Sequence, residues 1–122
     1  MKEWKAEGLV RHIGPSGAGP NHADVMVEVM NDGAVFVMQP FRSGEIFRLT
    51  AGRELSDWVS EFDCESWAQF ALKWIVGHPA ITSVFMETTK TRHVVDNMGA
   101  GIGRLPDAYQ RQRMLELIQS WI

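Results

Sequence analysis

Ser66-Trp67-Ala68-Gln69-Phe70-Ala71-Leu72-Lys73-Trp74-Ile75-Val76-Gly77-His78-Pro79-Ala80-Ile81-Thr82-Ser83-Val84-Phe85-Met86 changes its hydrophobic period partway along. In its first half, Trp67, Phe70, Ala71, Trp74 and Ile75 recur at spacings of three and four, which marks the buried stripe of an amphipathic helix. Asp63 or Ser66 stands where such a helix takes its cap. Gly77-His78-Pro79 then stops it, and His78 reads as a helix-ending residue rather than a ligand. The remainder, residues 80–86, is rich in β-branched side chains and reads as a strand. A helix running straight into a strand is half of a β/α repeat.

The same order continues on both sides. Downstream, a helix is expected near residues 90–98 and a last one from Pro106 or Asp107 to about Trp121, with Pro106 placed for the first turn and Leu115 and Ile118 on one apolar stripe. Upstream, the uninterrupted run Ala34-Val35-Phe36-Val37-Met38 looks like a strand buried on both faces, as in a parallel sheet flanked by helices. Residues 39–60 carry Pro40, Gly44 and Gly52 and show no clean period, so a long connection with one or two short helices is expected. Before the break at Asn31-Asp32-Gly33, Asn21 would cap a helix over residues 22–30. A turn-rich segment, Gly14-Pro15-Ser16-Gly17-Ala18-Gly19-Pro20, links that helix to a strand at Leu9-Val10-Arg11-His12-Ile13. Residues 1–7 read as the last turns of a helix stopped by Gly8. Repeated β-α order implies parallel strands, in part of a barrel or in a small open sheet.

Composition narrows the functional classes. A chain of 122 residues buries a single core, so one domain over residues 1–122 is expected. A formal net charge of −3 leaves no excess of Lys or Arg to neutralise phosphates and sets general nucleic-acid binding aside. The apolar runs are too short to span a bilayer. The residues after Met1 lack a signal-peptide profile and Cys64 is a lone cysteine, so a cytoplasmic location is expected. Five Trp and seven Met imply either a core of large side chains or an apolar face that something else covers. No His, Cys or carboxylate spacing fits a metal site. Cys64 has no sequence-adjacent His or Asn partner and reads as a buried or idle thiol. Gly99-Ala100-Gly101-Ile102-Gly103 follows a helix rather than a strand, so it reads as a turn and not as a phosphate loop.

At this point the residues resemble those of a known family. The stretch from Ser66 to Val84 is similar to the seventh helix and eighth strand of the aldo/keto reductases. The likeness continues through His93-Val94-Val95-Asp96-Asn97-Met98-Gly99-Ala100-Gly101 and Gly103-Arg104-Leu105-Pro106-Asp107, which resemble the eighth helix and the start of the C-terminal tail in one bacterial branch. More weakly, Leu9 to Gly14 resembles the fifth strand, and Ala34 to Phe41 the seventh strand with its following Pro. The sixth strand and its helix have no counterpart.

The resemblance implies an α/β fold, a partial (half) TIM-type (β/α) barrel with about three parallel strands and a C-terminal helix. It also implies a chain without the family's catalytic Asp, Tyr, Lys and His, which belong to the first four β/α units. Tyr109, the only tyrosine, matches none of them. Such a chain is expected to be inactive alone and to survive as a structural remnant that self-associates, most simply as a homodimer, because open sheet edges invite another chain. The alternative is an NADP(H)-binding part of an oxidoreductase whose catalytic half comes from a complementary partner. In the family the loop after the eighth strand and the next helix grip the adenosine end of NADP(H), which by match points to Thr88, Lys90, Arg92, His93 and Asn97. Two departures weaken that grip. Phe85-Met86-Glu87-Thr88 stands in place of Ile-Pro-Gly-Thr, and Thr91-Arg92 in place of the Pro-Glu before the His. Glu87 puts a negative charge where a phosphate would approach.

Overall fold

The computed structural model describes residues 2–11 and 34–122. Helix α1 (Lys2–Ala6) ends as its sequence predicts, with Gly8 in the left-handed region at φ 74°. Leu9 and Val10 both turn their backbone N–H groups onto the Trp4 carbonyl, at 2.9 and 3.4 Å. That helix-closing turn uses the donors a strand would need, and residues 9–11 form none. The rest of the expected strand, the turn-rich segment at 14–20 and the helix over 22–30 lie outside the described residues.

Two strands form among the described residues. Strand β1 (Val35–Met38) pairs in parallel with β2 (Ile81–Phe85), matching Phe36 with Ser83, Val37 with Val84 and Met38 with Phe85. The register slips once, between Val35 and Phe36, and there the Val35 N–H is taken by the Thr82 hydroxyl at 3.2 Å. The expected half barrel with three parallel strands is therefore corrected to an open two-stranded sheet. Among the described residues no third strand continues the curvature that an arc of a barrel requires, since α1's closing turn takes the backbone donors of residues 9–10. The reading of β1 as buried on both faces is also corrected. Val35 is buried, but Phe36 and Met38 point to the open face.

Between the strands run a short 3-10 turn (Arg42–Gly44), helix α2 (Glu45–Leu49), a second 3-10 turn (Asp57–Phe62) and helix α3 (Trp67–Val76). This matches the expected irregular connection and the expected helix. Ser66 is the cap of α3, its hydroxyl accepting from the Gln69 N–H at 3.1 Å. Helix α4 (Thr91–Gly99) follows β2, and α5 (Ala108–Gln119) closes the chain. Asp107, not Pro106, starts α5. Its carboxylate accepts from the Gln110 N–H at 2.7 Å while the Gln110 side chain accepts from the Asp107 N–H at 3.0 Å.

The core lies away from the sheet, between the second 3-10 turn, α3 and α5. Phe62 and Met114 are fully buried there with Val59, Cys64 and Phe70. Trp58 meets the rings of Phe62 and Phe70 edge-on, and Trp67 does the same to Phe70 and Trp121. Arginines cover the outer faces of three of these tryptophans, with Arg113 over Trp58 at 4.1 Å, Arg53 over Trp121 at 4.3 Å and Arg111 over Trp74 at 4.9 Å. Arg53 stacks from the exposed surface, while the part-buried Arg111 also donates from Nε to the Trp74 carbonyl at 2.8 Å. Four of the five tryptophans thus build the core, and Trp4 remains half exposed.

Helix α3 is buried on more sides than its apolar stripe predicts, because it packs against β2 and α4 as well as the core. Gln69 and Lys73 are consequently inside. The Lys73 ammonium donates to the Ile102 and Arg104 carbonyls at 2.8 and 2.9 Å and pins the loop after α4. Asp63 holds the same loop from outside. Its carboxylate accepts from the Arg104 backbone N–H and guanidinium at 2.8–3.1 Å, and these bonds keep it well below the usual carboxylate range. Gly103 belongs there, since it sits at φ 74° and a Cβ would lie 2.7 Å from the Asp63 carboxylate. No helix among the described residues is long and apolar enough to cross a membrane.

Candidate functional site

Parallel strands of an α/β fold end on a common edge, and ligands of such folds bind in the crevice beyond their carboxyl ends. Here β1 and β2 both end at one cleft of about 660 Å³. Three stretches of chain wall it. From the end of β1 come Met38, Pro40 and the ring pair of Phe41 and Phe47, whose centroids lie 4.9 Å apart. Trp67 contributes from the start of α3. Phe85, Met86, Glu87 and Thr88 come from the end of β2, and His93, Asp96 and Asn97 from α4.

The far wall is rigid because α3 and α4 share a bonded network. One Asp96 carboxylate oxygen accepts from the Ser66 hydroxyl at 2.7 Å and from the Gln69 amide at 2.9 Å. Gln69 in turn accepts from the Glu65 N–H at 3.0 Å. Gly99 makes room for it, since a Cβ there would come within 2.7 Å of the Gln69 amide nitrogen. Thr88 shapes the near wall. Its hydroxyl accepts from the Lys90 N–H at 3.2 Å and lies 3.5 Å from His93 Nδ1.

The residues expected from sequence divide in two. Thr88, His93 and Asn97 meet in the cleft, whereas Lys90 and Arg92 are exposed and stand outside its lining. Arg92 turns outward because His93 and Asn97, one turn apart, form the inward face of α4 and position 92 lies off it, whereas Lys90 is the extended cap residue before the helix. Sequence reading missed Phe41, Phe47 and Trp67 as walls and Asp96 as the brace between two helices. Only the short spacing of Phe41 and Phe47 hinted at the first pair.

Cys64 is not part of the cleft. Burial pushes its thiol up to about 11, so the nucleophilic thiolate is scarce at neutral pH. His78 ends α3, its Nδ1 accepting from the Ala80 N–H at 3.2 Å. Gly99 ends α4 and residues 100–103 are a turn that follows that helix, not a strand. Among the described residues, no cluster of His, Cys, Asp and Glu is arranged to hold a metal ion. Comparison with protein-family models, curated proteins and solved structures finds no match to this chain.

Proposed function

We propose that this chain is a non-catalytic relative of the aldo/keto reductases whose cleft takes the adenosine end of a nicotinamide dinucleotide. The observation that carries this reading is the meeting of Thr88, His93 and Asn97, the positions to which the resemblance assigns adenosine binding, at the carboxyl ends of two parallel strands. The cleft's chemistry fits a nucleoside. The aromatic walls of Phe41, Phe47 and Trp67 offer flat apolar area to a base, and the polar groups of Thr88, His93 and Asn97 can bond to its edge or to a ribose. When bound, the dinucleotide supplies a hydride. In this reading the chain's residues bind and orient it, while the one tyrosine, Tyr109, is exposed on α5 and lines no part of the cleft. The tyrosine that serves as acid in the family thus has no counterpart there, and carbonyl reduction would need a partner that supplies it. The same reading puts the protein in the reducing cytoplasm, where a lone thiol stays unpaired.

Titrating the purified chain with NADH and NADPH, and following Trp emission and its transfer to the nicotinamide, tests this directly. Trp67 in the cleft wall makes quenching the expected signal, with a dissociation constant on the order of micromolar for at least one of the two. No saturable change up to millimolar concentrations of both removes the reading.

Self-association is a second reading, favoured by a separate observation. Phe36, Met38 and Phe85 are 51%, 69% and 53% exposed, share one face of the sheet, and bring two rings within 5.6 Å of each other. Apolar faces and open strand edges of this kind are covered in stable assemblies. Sedimentation over a wide concentration range is expected to show a dimer. A single species of monomer mass at every concentration would eliminate it.

A further inference from the structure

The charge of the cleft restricts what it can take, and this inference rests on the nucleotide reading above. Among the described residues its lining carries two carboxylates, Glu87 and Asp96, together with His93, and no Lys or Arg. The cations that stand near it in sequence, Arg42, Arg48, Lys90 and Arg92, all lie outside the lining. Arg42 pairs with the Glu45 carboxylate at 3.1 Å, and Lys90 and Arg92 are exposed outside the lining. The buried cation of the neighbouring helix, Lys73, is bonded to the loop carbonyls of Ile102 and Arg104. Residues 12–33 contain no Lys or Arg.

The two acids are not equivalent. Asp96 is engaged, with one oxygen accepting from both Ser66 and Gln69 as the brace between α3 and α4. Glu87 is exposed at the end of β2, between the half-buried Met86 and Thr88, and has no salt bridge to any described cation. A carboxylate can only accept hydrogen bonds. Set beside a ribose, it suits free vicinal hydroxyls, which donate to it in short charge-assisted bonds. A 2′-phosphate offers it no donor and adds like charge in a partly enclosed site.

We infer that the cleft selects an adenosine whose ribose hydroxyls are free over one carrying a 2′-phosphate, and that Glu87 is the residue that makes the distinction. The ligand class is thus the unphosphorylated dinucleotide or a simpler adenosine compound, the reverse of what the resemblance implies.

The test compares NADH with NADPH, which differ only in that phosphate, on the intact chain and on Glu87→Gln at fixed ionic strength of about 0.1 M. Wild type is expected to bind NADH at least about tenfold more tightly, or about 1.4 kcal/mol. Glu87→Gln is expected to cut that ratio to about threefold or less, chiefly by strengthening NADPH binding. The variant is at an exposed position, and a circular dichroism spectrum matching that of the wild type is the check that it folds. Equal or tighter NADPH binding by wild type overturns the selectivity while leaving the nucleotide reading intact. A preference that survives unchanged in Glu87→Gln overturns the role given to Glu87. Binding of neither dinucleotide removes the nucleotide reading and this inference with it.

Discussion

Replacing Phe62 by alanine is expected to lower the unfolding free energy by about 3–5 kcal/mol, read as a shift in the denaturation midpoint. The ring is fully buried in the core cluster and meets Trp58 edge-on at 5.8 Å. Removing it takes away its transfer free energy and leaves a cavity that the surrounding groups fill poorly. Val59 and Cys64 sit in a tight 3-10 turn and the loop after it, with Asp63 in the left-handed region between Phe62 and Cys64. The backbone there has little freedom to collapse inward. Because small α/β domains have only about 5–15 kcal/mol of stability in total, the variant is expected to be partly unfolded at 37 °C. A loss below about 1 kcal/mol would show that the core is centred elsewhere.

Lys73→Met is expected to cost about 2–3 kcal/mol, although it replaces a buried charge by an apolar chain of similar length. Burial alone pushes the Lys73 ammonium below its ordinary value, which favours the substitution. Against that stand the two carbonyls it serves, Ile102 and Arg104, which lose a charged donor at 2.8 and 2.9 Å. The second effect wins because both acceptors belong to one loop, and freeing that loop also loosens the Asp63–Arg104 contact that depends on its course. Hydrogen exchange localises the effect. Amides of residues 101–105 are expected to lose protection ahead of the rest of α3 and α5. If the loop stays as protected as in wild type, the ammonium is not its anchor.

How far the sequence foretold this structure varies with the range of the interactions involved. Helices α3 and α5, strand β2 and the stop at Gly8 were legible because each rests on local signals: a period, a cap or a left-handed glycine. The capping box at Asp107 displaced the expected start by one or two residues, since Pro106 is itself packed inside before the helix begins. What escaped depends on who packs against whom. The Ala34-Val35-Phe36-Val37-Met38 run looked buried on both faces, but hydrophobicity alone does not say whether a second layer exists, and Phe36 and Met38 face outward. Leu9 and Val10 had strand composition, yet their N–H groups were already committed to the end of α1. Lys73 and Gln69 looked like solvated positions of an amphipathic helix until the third side of α3 was known. At the cleft, the position of Glu87 was readable as a departure from a motif. Its opposition to a phosphate was readable too, whereas the lack of Lys and Arg among the described residues of the cleft lining was not, because that depends on which side chains the fold brings there.

The three-walled construction of the cleft has a bearing on how the protein behaves in a mixture. The side formed by residues 38–47 is tied to the other two mainly through a pair of strands, and Val35 and Thr82 stand 47 residues apart in sequence. Two strands on their own are a weak tie. A molecule lodged among all three segments acts as a removable crosslink whose strength rises with its concentration, adding about 2.7 kcal/mol at a hundred times its dissociation constant. The melting temperature of this chain is then partly a report on its solvent, and a crude extract rich in the right small molecule would hold together a fold that dialysis lets slacken.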